Sequence, residues 1–266
     1  MQKQMIKLNT ARNCLRYIVR AYGIKSIYIP YYICPTIKTA LRKEGVSIRF
    51  YHINKDFFPL TDFEKDDFIL YPNYFGICSE NVEKLEKKYK NLIVDSAHSF
   101  YSKQSGLASF NSLRKFFQPC YGIKEGAYLY TEKVLNEEFA TSDDYEINDY
   151  DFETLVKNEN KLDDEDIKFI SNSTKKIIDN IDFEEEQQRR LSNFYKYETL
   201  YSKQNEINFN LKKEDIPFVY PLLTKNEKLG YELEKQGLMI FRYWNGIPKN
   251  FEEYYFYKYL IPLPLY

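Results

Sequence analysis

The sequence predicts an α/β protein with a mainly parallel central sheet flanked by helices, followed by a small α+β domain. Short apolar runs alternate with helix-like segments in the first part of the chain, and this alternation is typical of consecutive βαβ units. One run, Leu92–Val94, is entirely apolar and stops at Asp95, as expected for a strand buried on both faces of a parallel sheet. A strand–helix–strand pattern after residue 217 predicts the small domain.

The composition excludes several classes of protein. The chain has 38 lysines and arginines against 39 aspartates and glutamates in 266 residues, so its charge gives no reason to expect nucleic acid as a partner. Its four cysteines are far apart and form no CxxC pair, which argues against a zinc site and favours reduced thiols in a cytoplasmic protein. We find neither the apolar segment of a signal peptide nor an apolar run of membrane-spanning length.

The elements of the first half are predicted from their patterns. Residues 8–22 place apolar side chains on one face of a helix, with Thr10 as its N-cap. The other elements are strands at residues 26–30, 46–53, 68–71 and 92–95, and helices from residue 35 to about 44 and over 80–90.

The second half is predicted less uniformly. Gly126–Tyr130 has the pattern of a strand. Residues 132–175 are acidic with weak periodicity, so they form either loops and short helices that help to close a site or a variable surface insertion. A long helix over residues 182–203 is expected to bury one face, formed by Phe183, Leu191, Phe194, Leu200 and Tyr201. Strands at 217–223 and 238–244 then enclose a helix at 225–236. We therefore expect a large domain over residues 1–181 and a small domain over 182–266.

Two residues of the central part suggest chemistry. Asp95 lies at the carboxyl end of its predicted strand, where open α/β sheets bind ligands. Lys115 follows twenty residues later, between Arg114 and the pair Phe116–Phe117. A neighbouring cation and apolar rings would lower the pKa of this lysine, as a Schiff-base lysine requires. An acid that can hold a pyridinium nitrogen, followed by such a lysine, suggests pyridoxal 5'-phosphate (PLP).

Several motifs together resemble one known family. Asp95-Ser96-Ala97-His98 is similar to an Asp-Ala-Ala-Gln/His motif, and Ser112-Leu113-Arg114-Lys115-Phe116 is similar to the Ser-x-Arg-Lys-aromatic motif of a divergent branch. The runs at residues 72–76 and 124–127 match an Asn-x-Phe-Gly loop and an acid–glycine turn. Taken in this order, these motifs resemble those of the DegT/DnrJ/EryC1/StrS family of PLP-dependent sugar aminotransferases. The resemblance extends from about residue 9 to the end of the chain.

The resemblance implies the PLP-dependent transferase fold type I and roles for the central residues. Lys115 would be the Schiff-base lysine, with Lys124 as its competitor. Asp95 would pair with the ring nitrogen of PLP, and His98 would lie on the side of the ring oxygen. Ser112 would bind the phosphate, with Ser109 as its rival.

The resemblance also implies roles for residues outside the central part. Thr10, Ala11 and Arg12 would hold the phosphate in place of the family's Ser-Gly-Thr turn, although the glycine is missing here. Tyr32 would lie on the face of the ring, unless Cys34 takes that position. Asn73 would approach the substrate or the PLP, unless it serves only the turn. Arg114 would approach the substrate, bind the phosphate or lower the pKa of Lys115, unless it only faces solvent. The sequence Arg190-x-x-Asn193 resembles the family's link into the small domain. Arg242 and Trp244 either reach the site or, as we expect, lie on the surface or in packing.

The function implied is that of an aminotransferase. It would move an amino group from an amino acid such as glutamate to a keto nucleotide-sugar for surface polysaccharide synthesis, and it would act as a homodimer. Family members usually continue through a further helix, so the small domain is expected to be shortened. Two alternatives remain open: a scaffold or partner subunit that has lost catalysis, and a PLP enzyme acting on a non-sugar carbonyl compound.

Overall fold

A seven-stranded sheet forms the centre of the molecule. The computed structural model describes residues 3–143 and 161–266, so part of the acidic stretch at 132–175 lies outside the described residues. The strands are β1 (Gln4–Leu8), β2 (Ser26–Pro30), β3 (Ser47–Tyr51), β4 (Ile69–Pro72), β5 (Leu92–Ser96), β6 (Ala108–Asn111) and β7 (Ala127–Thr131). Their order is β1-β7-β6-β5-β4-β2-β3. Strands β2 to β6 pair in parallel, while β7 pairs antiparallel with both β6 and β1, which confirms the mainly parallel sheet.

Helices cover both faces of this sheet. The α-helices, in chain order, are α1 (Ala11–Tyr22), α2 (Pro35–Lys43), α3 (Ser79–Lys88), α4 (Leu113–Tyr121), α5 (Asn172–Ile178), α6 (Phe183–Tyr201), α7 (Glu227–Lys235) and α8 (Tyr254–Tyr259). Leu70 and Ile93 belong to the core on the side of α1 and α2, whereas Tyr71 and Leu92 belong to the core on the side of α3. Because both faces are covered, the strands are apolar at successive positions.

The start of α1 is formed as the sequence predicts. Thr10 is extended and its hydroxyl oxygen accepts a hydrogen bond from the backbone N–H of Asn13 at 3.1 Å. The helix ends at Gly23, whose φ of 64° is the left-handed conformation that glycine adopts without strain. The N-terminus of α1 is thereby fixed next to the carboxyl ends of the parallel strands.

The long helix α6 buries a different face from the one expected. Its buried residues are Glu186, Arg190 and Phe194, one turn apart from each other, whereas Leu200 is 67% exposed. The prediction failed because it counted only apolar side chains. A buried ion pair between Glu186 and Arg190 occupies the inner face instead.

The C-terminal part contains a two-stranded antiparallel sheet. Strand β8 (Val219–Leu223) pairs with β9 (Leu260–Pro264), and the predicted strand at residues 238–244 is wrong because that segment has no regular secondary structure. Met239 and Phe241 in that segment are 50% and 40% exposed, whereas β9 is buried. None of the helices in the described residues combines the length and the apolarity that crossing a lipid bilayer requires.

Candidate active site

A cavity of about 310 Å³ lies where β4 and β5 end and where α1, α2 and α4 begin. Its wall includes Asp95, His98, Ser112, Arg114 and Lys115 from the central motifs, and Thr10, Ala11 and Arg12 from the start of α1. The structure therefore brings together residues that the sequence analysis treated as one site. Among the described residues, no cluster of three or more histidine, cysteine, aspartate or glutamate side chains suits a metal ion.

Asp95 is the acid of the cavity. It lies at the end of β5, opposite Pro72 of β4, and is 8% exposed. Its Oδ1 accepts a hydrogen bond from the backbone N–H of Ala97 at 2.9 Å. Burial raises the pKa of Asp95 to about 6, although Ala97 and the nearby Lys115 ammonium pull it down. The buried carboxylate thus favours a positively charged partner.

Lys115 extends into the same cavity from the first turn of α4. Its Nζ lies 5.9 Å from the ring centroid of Phe218 and 5.8 Å from that of Tyr243. The sequence analysis instead placed Phe116 and Phe117 around the lysine. Both belong to the apolar core under α4, because residues one and two positions apart do not share a helix face.

His98 is stacked among aromatic rings at the cavity wall. Its ring centroid lies 4.7 Å from that of Phe218 at 24°, and 5.7 Å from that of Trp244 at 13°. Burial lowers the pKa of His98 well below its ordinary value, and the positive charge of Lys115 lowers it further. The imidazole is therefore neutral at physiological pH and can donate one hydrogen bond and accept another.

Polar groups at two helix starts form one wall of the cavity. The first N–H groups of α1 follow Thr10, and a helix N-terminus favours negative charge. Ser112 precedes α4 and is 6% exposed, and its hydroxyl neither caps that helix nor bonds another side chain in the described part of the chain. Arg12 lines the cavity as well and pairs with Asp163.

Of the two residues considered for the face of the ring, Tyr32 lies outside the cavity wall and Cys34 belongs to it. Tyr32 is fully buried and does not line the cavity; its hydroxyl donates a hydrogen bond to the carbonyl of Tyr243 at 3.2 Å. Cys34, the alternative, lines the cavity. Tyr32 therefore packs beneath the site, because its side chain points to the core that α8 covers.

The competing candidates for the phosphate-binding serine and the Schiff-base lysine lie outside the cavity wall. Ser109 is buried within β6 and is not part of the cavity wall, which favours Ser112. Lys124 is likewise absent from the wall, which favours Lys115.

The residues expected near the substrate both line the cavity. Asn73 is held by its neighbours: its amide nitrogen donates to the hydroxyls of Ser79 and Ser102, and its oxygen accepts from the N–H of Cys78. Its side chain is thus fixed by the protein, while the side chain of Arg114 comes from the turn that carries the lysine.

Trp244 lines the cavity; the sequence analysis considered this place for it but favoured the surface or packing. Gly126 is one of the wall residues to which the sequence analysis gave no role at the site. Gly126 has a φ of +116°, and a Cβ there would lie 2.8 Å from Leu113 Cδ1. Its N–H donates to the carbonyl of Asn9 and its carbonyl accepts from Leu113, so it joins the starts of α1 and α4. An acid–glycine turn was the only local signal.

No family model and no curated protein sequence matches the chain, whereas many solved structures do. The PLP form of Spr1654 from Streptococcus pneumoniae, named as a candidate sugar aminotransferase, has a TM-score of 0.68 and 15% identity over 100% of this chain and 82% of that chain. A DegT DnrJ EryC1 StrS aminotransferase from Brucella abortus has a TM-score of 0.64 and 12% identity, covering 100% of this chain and 81% of its own. The chain has the fold of PLP-dependent aminotransferases of fold type I.

A third structure agrees with this fold. DesV from S. venezuelae has a TM-score of 0.65 and 12% identity over 98% of this chain and 80% of its own. The fold that the motif resemblance implied is therefore confirmed over nearly the whole chain.

Proposed function

We propose that this protein is a PLP-dependent aminotransferase that moves an amino group from an amino acid, glutamate in the first instance, to a keto nucleotide-sugar used for surface polysaccharides. The observation that carries the proposal is that Asp95 and Lys115 line one cavity next to the N-terminus of α1. The similarity to Spr1654 and to the Brucella abortus aminotransferase supports the reaction and the cofactor.

The polar groups of the cavity fit PLP. The Ser112 hydroxyl and the first N–H groups of α1 would hold the phosphate, since both are donors at a site that favours negative charge. Asp95 would hold the protonated ring nitrogen, because a cation is the partner that stabilises a buried carboxylate. Lys115 would form the covalent bond to the cofactor. Bound PLP supplies an electron sink for the negative charge that develops at the substrate carbon.

The protein's own groups would then control protons and water. With PLP bound, Lys115 would act as the general base that takes the proton from the substrate carbon and as the general acid that delivers it to the cofactor. Asp95 would keep the ring nitrogen protonated throughout. The rings of His98, Phe218 and Trp244 would exclude water from one side of the cavity, which strengthens the charge interactions inside it.

The substrates would approach from the side of Arg114 and Trp244. Arg114 offers a guanidinium that suits the carboxylate of an amino acid donor. Trp244 offers a flat apolar wall against which the ring of a sugar can lie. The names of the similar structures support a sugar as the acceptor.

We also propose two domains and a dimeric state for this protein. Residues 1–181 would form the large domain and 182–266 the small domain, which has an apolar core of its own around Phe194, Tyr220 and Leu263. The protein would act in the cytoplasm as a homodimer, with aromatic side chains contributing to the interface.

The first experiment is the visible spectrum of the purified protein with PLP, for the wild type and for Lys115→Ala. The wild type should show an absorbance band that an amino donor shifts, and borohydride should convert it into a covalent adduct on the peptide that contains Lys115. Lys124→Ala is the matched control and should retain the adduct. If the wild type has no band, or if Lys115→Ala retains the adduct, the proposed site is wrong.

The second experiment separates the possible acceptors. Wild-type protein loaded with PLP and glutamate is offered keto nucleotide-sugars, free keto sugars and 2-oxo acids, and the aminated product is measured by mass spectrometry. Turnover of the nucleotide-sugars alone would support the proposal. Turnover of the non-sugar carbonyl compounds alone would support aminotransferase activity but refute the proposal that the acceptor is a sugar.

A further inference from the structure

The side chain of Arg190 joins the helix that carries Lys115 to the start of β8. Arg190 is 1% exposed, and its Nε donates to Glu186 at 2.7 Å. One terminal nitrogen donates to the carbonyl of Phe116 at 2.6 Å, and the other to the carbonyl of Phe218 at 3.2 Å. The guanidinium carbon also lies 4.6 Å from the ring centroid of Phe116. One planar group thus holds three partners from three segments.

The turn of α4 that carries Lys115 has a weak point. Pro119 lies within this helix and is exposed. Proline has no backbone N–H and crowds the carbonyl four residues before it, so the carbonyl of Lys115 loses its helical hydrogen bond. Arg190 binds the next carbonyl, that of Phe116. The arginine therefore fixes the helix at the point where the proline loosens it.

Phe218 is fixed at both ends by the same arrangement. Its N–H donates to the carbonyl of Phe75 at 2.8 Å, and its carbonyl accepts from Arg190. Its ring lies 5.9 Å from Lys115 Nζ and 4.7 Å from the ring of His98. Arg190 thereby holds both the backbone next to the lysine and a ring that borders its ammonium group.

We propose that Arg190 is a positioning residue that sets where the amino group of Lys115 lies in the cavity. The inference rests on the proposed function in one respect, namely that Lys115 is the reactive lysine. Arg190 acts from outside the cavity, and a lysine in its place cannot hold the carbonyls of Phe116 and Phe218 and the carboxylate of Glu186 at the same time.

The test compares Arg190→Lys with Arg189→Lys. Arg189 also pairs with Glu186, but it contacts neither of the two carbonyls. We expect the rate at which PLP bonds to Lys115, trapped with borohydride, to fall roughly 10- to 100-fold in Arg190→Lys, as a small displacement of a reacting group does. Arg189→Lys should retain the wild-type rate.

A second readout needs no cofactor. Acetic anhydride acetylates lysine side chains without first binding to the protein. Mass spectrometry then gives the acetylation rate of each lysine. In Arg190→Lys, measured well below the melting temperature, Lys115 should be acetylated faster than in the wild type, while the lysines of α3 should be unchanged. A loss of overall stability alone would not slow the bond to PLP and speed acetylation at a single residue.

Pro119→Ala provides a rescue. This exposed substitution restores the N–H that the carbonyl of Lys115 lacks, so it should recover part of the rate lost in Arg190→Lys. If Arg190→Lys does not fold, Glu186→Gln takes its place and should slow the bond to PLP in the same direction. If the folded Arg190 or Glu186 variant bonds PLP at the rate of Arg189→Lys, the positioning role is wrong. Failure of the wild type to bond PLP would instead refute the proposed function.

Discussion

Replacing Asp95 by asparagine should stabilise the cofactor-free protein at neutral pH while removing its ability to support the proposed reaction. Asp95 is 8% exposed, and burial raises its pKa from the ordinary 3.8 to about 6. The folded protein therefore binds a proton at this group more tightly than the unfolded chain does. At neutral pH the carboxylate is ionised in a place that disfavours its charge.

The magnitude follows from the difference between the two pKa values. A shift of about two pKa units, at about 1.36 kcal/mol per unit, corresponds to about 3 kcal/mol of folding free energy. Because the folded pKa is the higher one, the cost is absent below about pH 4, grows as the pH rises, and is complete above about pH 6. Asparagine carries no charge, and its Oδ1 can still accept the N–H of Ala97.

The assay is thermal unfolding of the cofactor-free wild type and Asp95→Asn between pH 4.5 and 8. We expect the variant to melt about 6 to 12 °C above the wild type at pH 7.5. The difference should shrink towards pH 4.5, where the wild-type carboxyl is protonated. The control is Glu44→Gln. Burial raises the pKa of the Glu44 carboxyl, but hydrogen bonds from Arg20 and Arg16 lower it by more, so its folded pKa lies below the ordinary value. That variant should be destabilised at neutral pH, since it loses both ion pairs.

Addition of PLP should reverse the order of the two melting temperatures, so that the wild type melts above Asp95→Asn. A ligand that binds only the folded protein raises its stability according to its concentration and affinity, and the wild type should gain more than Asp95→Asn because asparagine cannot hold a protonated ring nitrogen. Equal melting temperatures at pH 7.5, or a difference that stays constant with pH, would refute the reasoning about the buried charge.

Three further outcomes are expected. Ser112→Ala should weaken PLP binding roughly 10- to 100-fold, the effect of one hydrogen bond to a charged group, whereas Ser109→Ala should not; equilibrium dialysis compares them, and equal affinities would contradict the assignment. Trp244 is the single tryptophan and lines the cavity, so PLP should quench the intrinsic fluorescence of the wild type, and an unquenched signal at saturation would place the ligand elsewhere. Gly126→Ala should cost about 1 to 3 kcal/mol of stability and reduce PLP affinity, whereas Gly237→Ala, with open space around its φ of +92°, should lower the melting temperature without changing that affinity.

The central residues of the site could be predicted because their signals are local. Asp95 ends an apolar strand, and the carboxyl end of a parallel strand is where such folds bind ligands. Thr10 stands before an amphipathic run, and it caps α1 as expected. Lys115 follows at a short distance along the chain, and one intervening strand, β6, places its helix beside β5.

The surroundings of Lys115 could not be predicted in the same way. Its helix α4 was not recognised, because Pro119 interrupts the helical pattern. Without the helix, Phe116 was taken as a neighbour of the amino group, although adjacent residues of a helix point in different directions. The rings that do border the lysine, Phe218 and Tyr243, come from the other end of the chain, and no local pattern connects them with it.

The C-terminal sheet was misassigned for a related reason. Strand β9 contains Pro262 and Pro264, and proline ordinarily argues against a strand. In a sheet of two strands each strand has a free edge, so a proline can leave its missing N–H on the open side. The run at 238–244 has strand-like composition, but it carries Tyr243 and Trp244 to the site instead of pairing.

The buried polar groups of the cavity differ from the buried ion pair of α6. Glu186 and Arg190 are fully buried, yet each has its partners within the chain. Asp95, His98 and Ser112 are also buried, but Asp95 has a raised pKa, His98 is kept neutral, and the Ser112 hydroxyl has no side-chain partner in the described part of the chain. Such groups lower the stability of the protein alone. Because they line one cavity, a single bound ligand could interact with all of them. A ligand with a cationic ring nitrogen and a phosphate would give Asp95 a positively charged partner and Ser112 a hydrogen-bond acceptor.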